Sequence, residues 1–295
     1  ESDRRRPSGR CEKRALMRTM NFDGLELKIQ QRLGTEHKAR GGGPGGTVWP
    51  CGEAMARYMA SQRAGSHEKV EPELSGVQPR SVLELGCGTG VLGITLALLG
   101  APHVVATDGD APSCKLAAVN AALSGANMQT AQLSWGEGQF GKSMPELERA
   151  LSMLDGRCAD WIVGADVVYE PQSTQELEVT LRELMSRGGC SLVAIGWCER
   201  GHHSEAFLQR LSDLGRVRTV AREFDRKFNY LTKMNGRFVT SEIEWGVTLL
   251  QVKSEVTAGW PYCGLRCWLG QMVRLWTARL AATCGSVRRG ELVPV

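Results

Sequence analysis

Apolar and polar residues along this chain follow two rhythms, one repeating every second residue and one every third or fourth, and the rhythms alternate. Residues 1–20 are polar and basic with no periodic apolar face and read as a loose, disordered tail. Phe22, Leu25, Leu27 and Ile29 are spaced as in a short strand. Gly41–Gly46, with Pro44 inside, reads as a flexible connector, and Thr47–Met59 turns helical with Ala54, Met55, Tyr58 and Met59 on one face. A polar break over Gly65–Pro79 precedes the strand Ser81–Leu85, the helix Val91–Leu99, the strand His103–Thr107 and the helix Ala111–Ser124. The strands Thr130–Leu133 and Trp161–Val168, the helix Thr174–Ser186, the strand Ser191–Trp197 and the helix Glu205–Leu214 continue the alternation. Two last strands, Val217–Phe224 and Trp245–Val252, have no helix between them and read as an edge hairpin. Such an order predicts a doubly wound α/β domain, a mostly parallel sheet with helices on both faces.

Three segments follow from this pattern: a basic tail over 1–20, one domain over 21–255, and a C-terminal extension over 256–295. In the extension Leu265, Trp268, Leu269, Met272, Val273 and Trp276 share a helical face, with Arg266 and Arg274 off it. A basic amphipathic helix can serve a membrane surface or a partner groove. Arg279 interrupts the apolar face, so packing on its own domain is the reading taken here.

Composition narrows the function classes. The net charge of +4 is concentrated at the ends, and no basic stripe crosses the middle, so no nucleic-acid partner is expected. The ten cysteines form no paired CxxC motifs; Cys263 and Cys267 alone lie close together, which is half a tetrahedral zinc site. Reduced thiols in an intracellular protein and no bound metal are expected. No run of eighteen apolar residues suggests a transmembrane helix. The cytoplasm is the expected compartment; the Arg-rich start has the look of a targeting segment, but Glu1, Asp3 and Glu12 are out of place in one.

The strongest chemical signal is Val82-Leu83-Glu84-Leu85-Gly86-Cys87-Gly88-Thr89-Gly90. Glycines after a strand let the backbone turn tightly and approach a ligand without Cβ clashes. A dinucleotide site would need its third glycine at position 91, which is Val91; the spacing here is GxGxG. Glu84 suits a cationic amine better than a diphosphate. Asp108, closing the strand His103–Thr107, can accept both hydroxyls of a ribose, and Asp110 is left to cap the next helix.

With these residues in place, the sequence resembles the class I, seven-β-strand methyltransferases, with a Rossmann-like sheet and S-adenosyl-L-methionine as cofactor. Further segments are similar to methyltransferase family 16, many of whose members methylate protein lysines. Thr47-Val48-Trp49-Pro50-Cys51-Gly52 resembles the family's Trp-Pro element beside the cofactor, and Leu133-Ser134-Trp135-Gly136 its Leu-Asp-Trp-Gly segment at the adenine. Asp166-Val167-Val168-Tyr169 matches its DxxY motif, while Asn120 and Arg200 fall at recurrent family positions. The resemblance runs from Phe22 to Val252. It implies cofactor contacts from Trp49, Glu84, Gly86, Gly88, Gly90, Asp108, Ser134, Trp135 and Asp166, and a catalytic pair of Asp166 and Tyr169. Ser134 departs from the pattern, standing where an acidic residue usually accepts from the adenine amine; its hydroxyl or the neighbouring backbone would have to serve instead.

Each of these residues also has a plainer reading. Trp49 and Trp135 could be core aromatics, Asp166 a helix cap, and His202 and His203 are solvated loop residues without a role. Their conjunction in order favours a monomeric S-adenosylmethionine-dependent methyltransferase acting on lysine side chains of a protein substrate. The alternatives are a small-molecule or arginine methyltransferase, or an inactive cofactor-binding module. The absence of an Asn-Pro-Pro-Tyr-type motif argues against nucleobase amines.

Overall fold

The computed structural model describes residues 16–32, 44–76, 78–136, 145–154, 158–199, 203–234 and 237–252, with side chains throughout except at 203, 205 and 224–243. Arg200, His202, the residues before Leu16 and the C-terminal extension lie outside the described residues.

The chain opens with an antiparallel hairpin, β1 (Leu16–Phe22) and β2 (Leu25–Gln31). Residues 16–20 therefore belong to a strand and not to the tail the sequence suggests. The cause is the Asp23-Gly24 pair, whose positive φ values of 46° and 88° make the two-residue turn that pairs Phe22 with Leu25. Met20, Phe22, Leu27 and Ile29 then bury one face of the hairpin.

After the hairpin come the short helical turn Pro44–Gly46, α1 (Pro50–Ala64) and α2 (Pro72–Ser75). The doubly wound body follows as β3 (Ser81–Leu85), α3 (Val91–Leu98), β4 (His103–Asp108), α4 (Ala111–Ser124) and β5 (Gln129–Gln132). It continues with α5 (Pro145–Ser152), β6 (Trp161–Ala165), α6 (Pro171–Ser186), β7 (Leu192–Cys198) and α7 (His203–Arg210). The closing strands β8 (Gly215–Met234) and β9 (Arg237–Val252) are far longer than the alternation suggests.

The seven-stranded sheet has the order β5-β4-β3-β6-β7-β9-β8, parallel from β5 to β7, with β9 antiparallel between β7 and β8. Alternate residues of the central strands feed two cores. Leu83, Leu85, Val105, Ile162 and Val193 pack with Leu177, Leu181 and Phe207 on one face. Val82, Val104, Val163 and Ala194 pack with Met55, Met59, Leu92 and Leu96 on the other. The hairpin closes the flank of α1, α3 and α4 through Ala56, Ile94 and Ala121.

This order fixes where a ligand can sit. From β3 the chain winds outward through β4 to β5, then crosses back to β6 on the other side of β3. The connections leave β3 and β6 in opposite directions, so a crevice opens at the carboxyl ends of those two strands.

Candidate functional site

The glycine turn after β3 lines that crevice. Gly86, Gly88 and Gly90 have φ of 69°, 51° and 83°, where a side chain would be strained. Space forbids one as well: a Cβ on Gly86 would stand 2.8 Å from Val167 and 3.1 Å from the Trp135 ring, and one on Gly90 3.0 Å from Ala117. Gly88 lies against Gly45 of the Pro44–Gly46 turn, whose own Cβ would stand 3.1 Å from the Gly88 α-carbon. The connector that looks merely flexible in the sequence thus covers the glycine turn.

Asp108 closes β4 beside this turn. Its carboxylate accepts the Gly88 N–H and the Asp110 N–H, each at 2.9 Å. Asp110 caps α4 by accepting the Ser113 N–H at 3.0 Å. Asn120 is fully buried and ties three elements together. It accepts the Gln30 N–H at 2.8 Å and donates to the carbonyls of Gln30 and Thr89 at 3.1 and 2.9 Å, fixing the glycine turn to the hairpin.

Glu84, which the sequence suggests is suited to a cationic amine, is held against the helix that follows the glycine turn. It is 2% exposed and accepts the Gly93 N–H at 3.0 Å, supporting the turn from beneath. Burial, partly offset by that N–H and reinforced by nearby Asp108, pushes its pKa up to about 8. A Cβ on Gly93 would collide with the Glu84 carboxylate, so glycine there lets the carboxylate approach the backbone closely.

Ser134 and Trp135 follow β5 on one side of the crevice. The Trp135 ring packs on Gly86, its Nε1 is buried without a hydrogen-bond partner among the described residues, and Gly136 donates its N–H to Thr180 of α6 at 3.1 Å. On the other side Asp166 leaves β6 at φ 61°, donating its N–H to the Gly196 carbonyl of β7 at 2.9 Å. A left-handed aspartate at a strand end is uncommon, and such strain concentrates at functional positions. Val167 presses on Gly86, which sets Asp166 beside the glycine turn. Tyr169, three residues on, is 38% exposed, and its hydroxyl pKa is raised, chiefly by partial burial. Trp49 precedes α1 and donates Nε1–H to the Pro44 carbonyl at 3.1 Å. Cys51, in the first turn of α1, is buried next to Cys198 and near Asp166; burial raises its thiol pKa well above the usual value. The Trp-Pro element and the DxxY segment, over a hundred residues apart in sequence, are thereby brought together.

The fold thus gathers the glycine turn, Asp108, Ser134–Trp135, Asp166–Tyr169 and the start of α1 around one crevice. Gly45, against Gly88, and Glu146 of α5, bonded to Ser134, adjoin this group, with Gly93 beneath the turn; the sequence reading missed all three. The glycines are visible in sequence as members of glycine-rich runs, whereas Glu146 carries no signal. Among the described residues no cluster suits a metal ion.

A doubly wound sheet with this strand order, a GxGxG turn and a carboxylate closing the next strand defines the Rossmann-like class I methyltransferases. The chain belongs to the lysine methyltransferase family, whose model matches residues 22–214. It is 29% identical to the histone-arginine methyltransferase METTL23 of Xenopus laevis over 145 residues, 48% of this chain and 51% of that protein. Identity to the protein-lysine N-methyltransferase EFM3 of Chaetomium thermophilum is 31%, covering 45% of this chain and 39% of that one. For the protein N-lysine methyltransferase METTL21A of Danio rerio it is 28%, covering 60% and 72%. The chain thus spans about half the length, or less, of the first two of these relatives.

S-adenosylmethionine is the cofactor, and the residues present fit it. The three glycines leave a cradle that side chains would fill, the Asp108 carboxylate is fixed to that turn through the Gly88 N–H, and Trp135 offers a ring wall for a base.

Proposed function

We propose that this protein transfers a methyl group from S-adenosylmethionine to lysine side chains of a protein substrate, as a monomer in the cytoplasm. The supporting observation is Asp166, strained at φ 61° at the end of β6 and set beside the glycine cradle, with Tyr169 on the rim. The cofactor supplies a methyl on a positively charged sulfur, a good leaving group. The protein has to align the nucleophile with that methyl. A lysine amine, with a reference pKa near 10.4, must first lose its proton. Partial burial against the Tyr169 ring favours the neutral amine, while the Asp166 carboxylate attracts and orients the ammonium as it arrives. In this reading Trp49, Gly86, Gly88, Gly90, Asp108, Ser134 and Trp135 hold the cofactor, and Glu84 braces the turn. The cytoplasmic assignment is supported by Cys51, Cys87, Cys114, Cys190 and Cys198, which are buried outside any disulfide.

The test incubates purified protein with methyl-labelled S-adenosylmethionine and a cell extract, beside an Asp166→Ala control. Labelled protein bands that disappear in the control, and that yield methyl-lysine on hydrolysis, are expected. Methyl-arginine instead would move the substrate toward that of the METTL23 relative. Full turnover by Asp166→Ala at normal cofactor affinity would remove Asp166 from the mechanism.

A further inference from the structure

The base-proximal edge of the crevice carries an acidic group that the sequence does not announce. Leu133 donates its N–H to the Asp108 main-chain carbonyl at 3.0 Å, so the chain enters Ser134 alongside the end of β4. The Ser134 α-carbon would also lie 3.9 Å from a Cβ built on Gly109. Glu146, the second residue of α5, points back to this edge, and its Oε2 accepts the Ser134 backbone N–H at 2.6 Å. Its other oxygen accepts no hydrogen bond among the described residues. Leu147 and Ala150 bury α5 in the core, so packing as well as this bond sets the position of Glu146.

We propose that Glu146 and the Ser134 N–H together read the base edge of the cofactor's adenine, making Glu146 a specificity-determining residue. The inference rests on the cofactor assignment and on Asp108 as the ribose acceptor. Adenine presents a donor, the 6-amine, beside an acceptor, N1. A main-chain N–H next to an ionised carboxylate is the complementary pair, since the carboxylate only accepts and the N–H only donates. Here the two satisfy each other at 2.6 Å, so adenine has to break that bond and replace it, its N1 accepting the Ser134 N–H and its 6-amine donating to the carboxylate. A 6-oxo purine reverses the edge: its N1–H would meet the Ser134 N–H, and its O6 the carboxylate. Sites built to pair a donor reject analogues that cannot pair, because buried polar groups are then left unmatched. The device places on α5 the acceptor that Ser134 cannot supply as a carboxylate.

Calorimetric titration of the full chain with S-adenosylhomocysteine and S-inosylhomocysteine tests this, with thermal melting to confirm folding. The wild type should prefer the adenosyl compound by roughly 10- to 100-fold, the range of a hydrogen bond to a charged group. Glu146→Gln, whose amide can donate to a 6-oxo group, should bind the adenosyl compound about tenfold more weakly and lose most of the preference. Ser134→Ala removes the hydroxyl but keeps the backbone N–H, so the preference for the adenosyl compound over the inosyl one should persist in it. If Glu146→Gln does not fold, Glu146→Asp, which withdraws the carboxylate by one methylene, should weaken adenosyl binding without strengthening inosyl binding. Unchanged affinity and preference in the Glu146 variants would overturn the proposal and leave Glu146 as an anchor of α5. Loss of preference in Ser134→Ala would overturn it in favour of the serine hydroxyl. A wild type that binds neither compound would instead overturn the cofactor assignment beneath it.

Discussion

Glu84 shows how a residue identified from its motif acquires a different character once its surroundings are known. The sequence marks it as an acidic residue before a glycine turn; the fold buries it with a single backbone donor. Its pKa of about 8 lies above the ordinary carboxylate value of 4.5, so folding takes up a proton between those limits. Stability should therefore fall as pH rises from about 4.5 to about 8 and be flat above that. At ~1.4 kcal/mol per pH unit the total is on the order of several kcal/mol. Glu84→Gln should abolish this slope and melt above the wild type at pH 8. Parallel slopes for the two proteins in thermal melts from pH 5 to 8 would show that Glu84 is ionised throughout.

At the scale of elements, the glycine turn is held from outside by the hairpin. Asn120 makes the link with three hydrogen bonds, one buried and two partly buried, between α4, β2 and Thr89. Asn120→Ala should cost roughly 2–4 kcal/mol in urea denaturation, because it leaves buried backbone groups unmatched. The same variant should weaken cofactor binding in calorimetry; stability lost with affinity unchanged would confine Asn120 to the fold. Strands β3, β4, β6 and β7 were legible because strands buried on both faces read as apolar runs. The hairpin was only half legible: Asp23-Gly24 was its strongest local signal, while Leu16, Met17, Met20 and Phe22 break strict alternation around Arg18, Thr19 and Asn21 and so concealed β1. Helix α5 was missed although Leu147, Ala150, Leu151 and Leu154 are spaced as one helical face; the helix is short, and packing of Leu147 and Ala150 gives it its place. The great length of β8 and β9 was hidden by charged residues, although Asn235-Gly236 between them is a strong hairpin signal.

In the whole molecule, the far edge of the sheet is fastened to the helical layer by charge. Arg218 of β8 donates to Glu71 at 2.5 Å and to Glu73 at 3.0 Å, with Lys69 also 3.0 Å from Glu71. Glu71 is 2% exposed. Burial alone would raise its pKa, but the hydrogen bonds from Arg218 and Lys69 prevail and hold it below the usual carboxylate value. That stabilisation is present above the unfolded carboxylate pKa and is lost as pH falls through the folded one. Arg218→Met should destabilise by about 2 kcal/mol at neutral pH, since it removes a charged hydrogen-bond partner from a buried carboxylate and leaves it to Lys69. Adding Glu71→Gln should recover part of the loss; equal melting of single and double variants would deny the coupling. Such pairings across nearly 150 residues are invisible in the sequence, as is the register that sets Glu146 against Ser134. By itself the sequence determined the alternation of strand and helix, the glycine turn, the carboxylate closing β4 and the DxxY segment, because hydrophobic period and glycine spacing are local. Only the tertiary structure decided which strands neighbour one another, which carboxylates are buried and which face the crevice. Burial and proximity depend on how distant segments pack, and no local pattern encodes them.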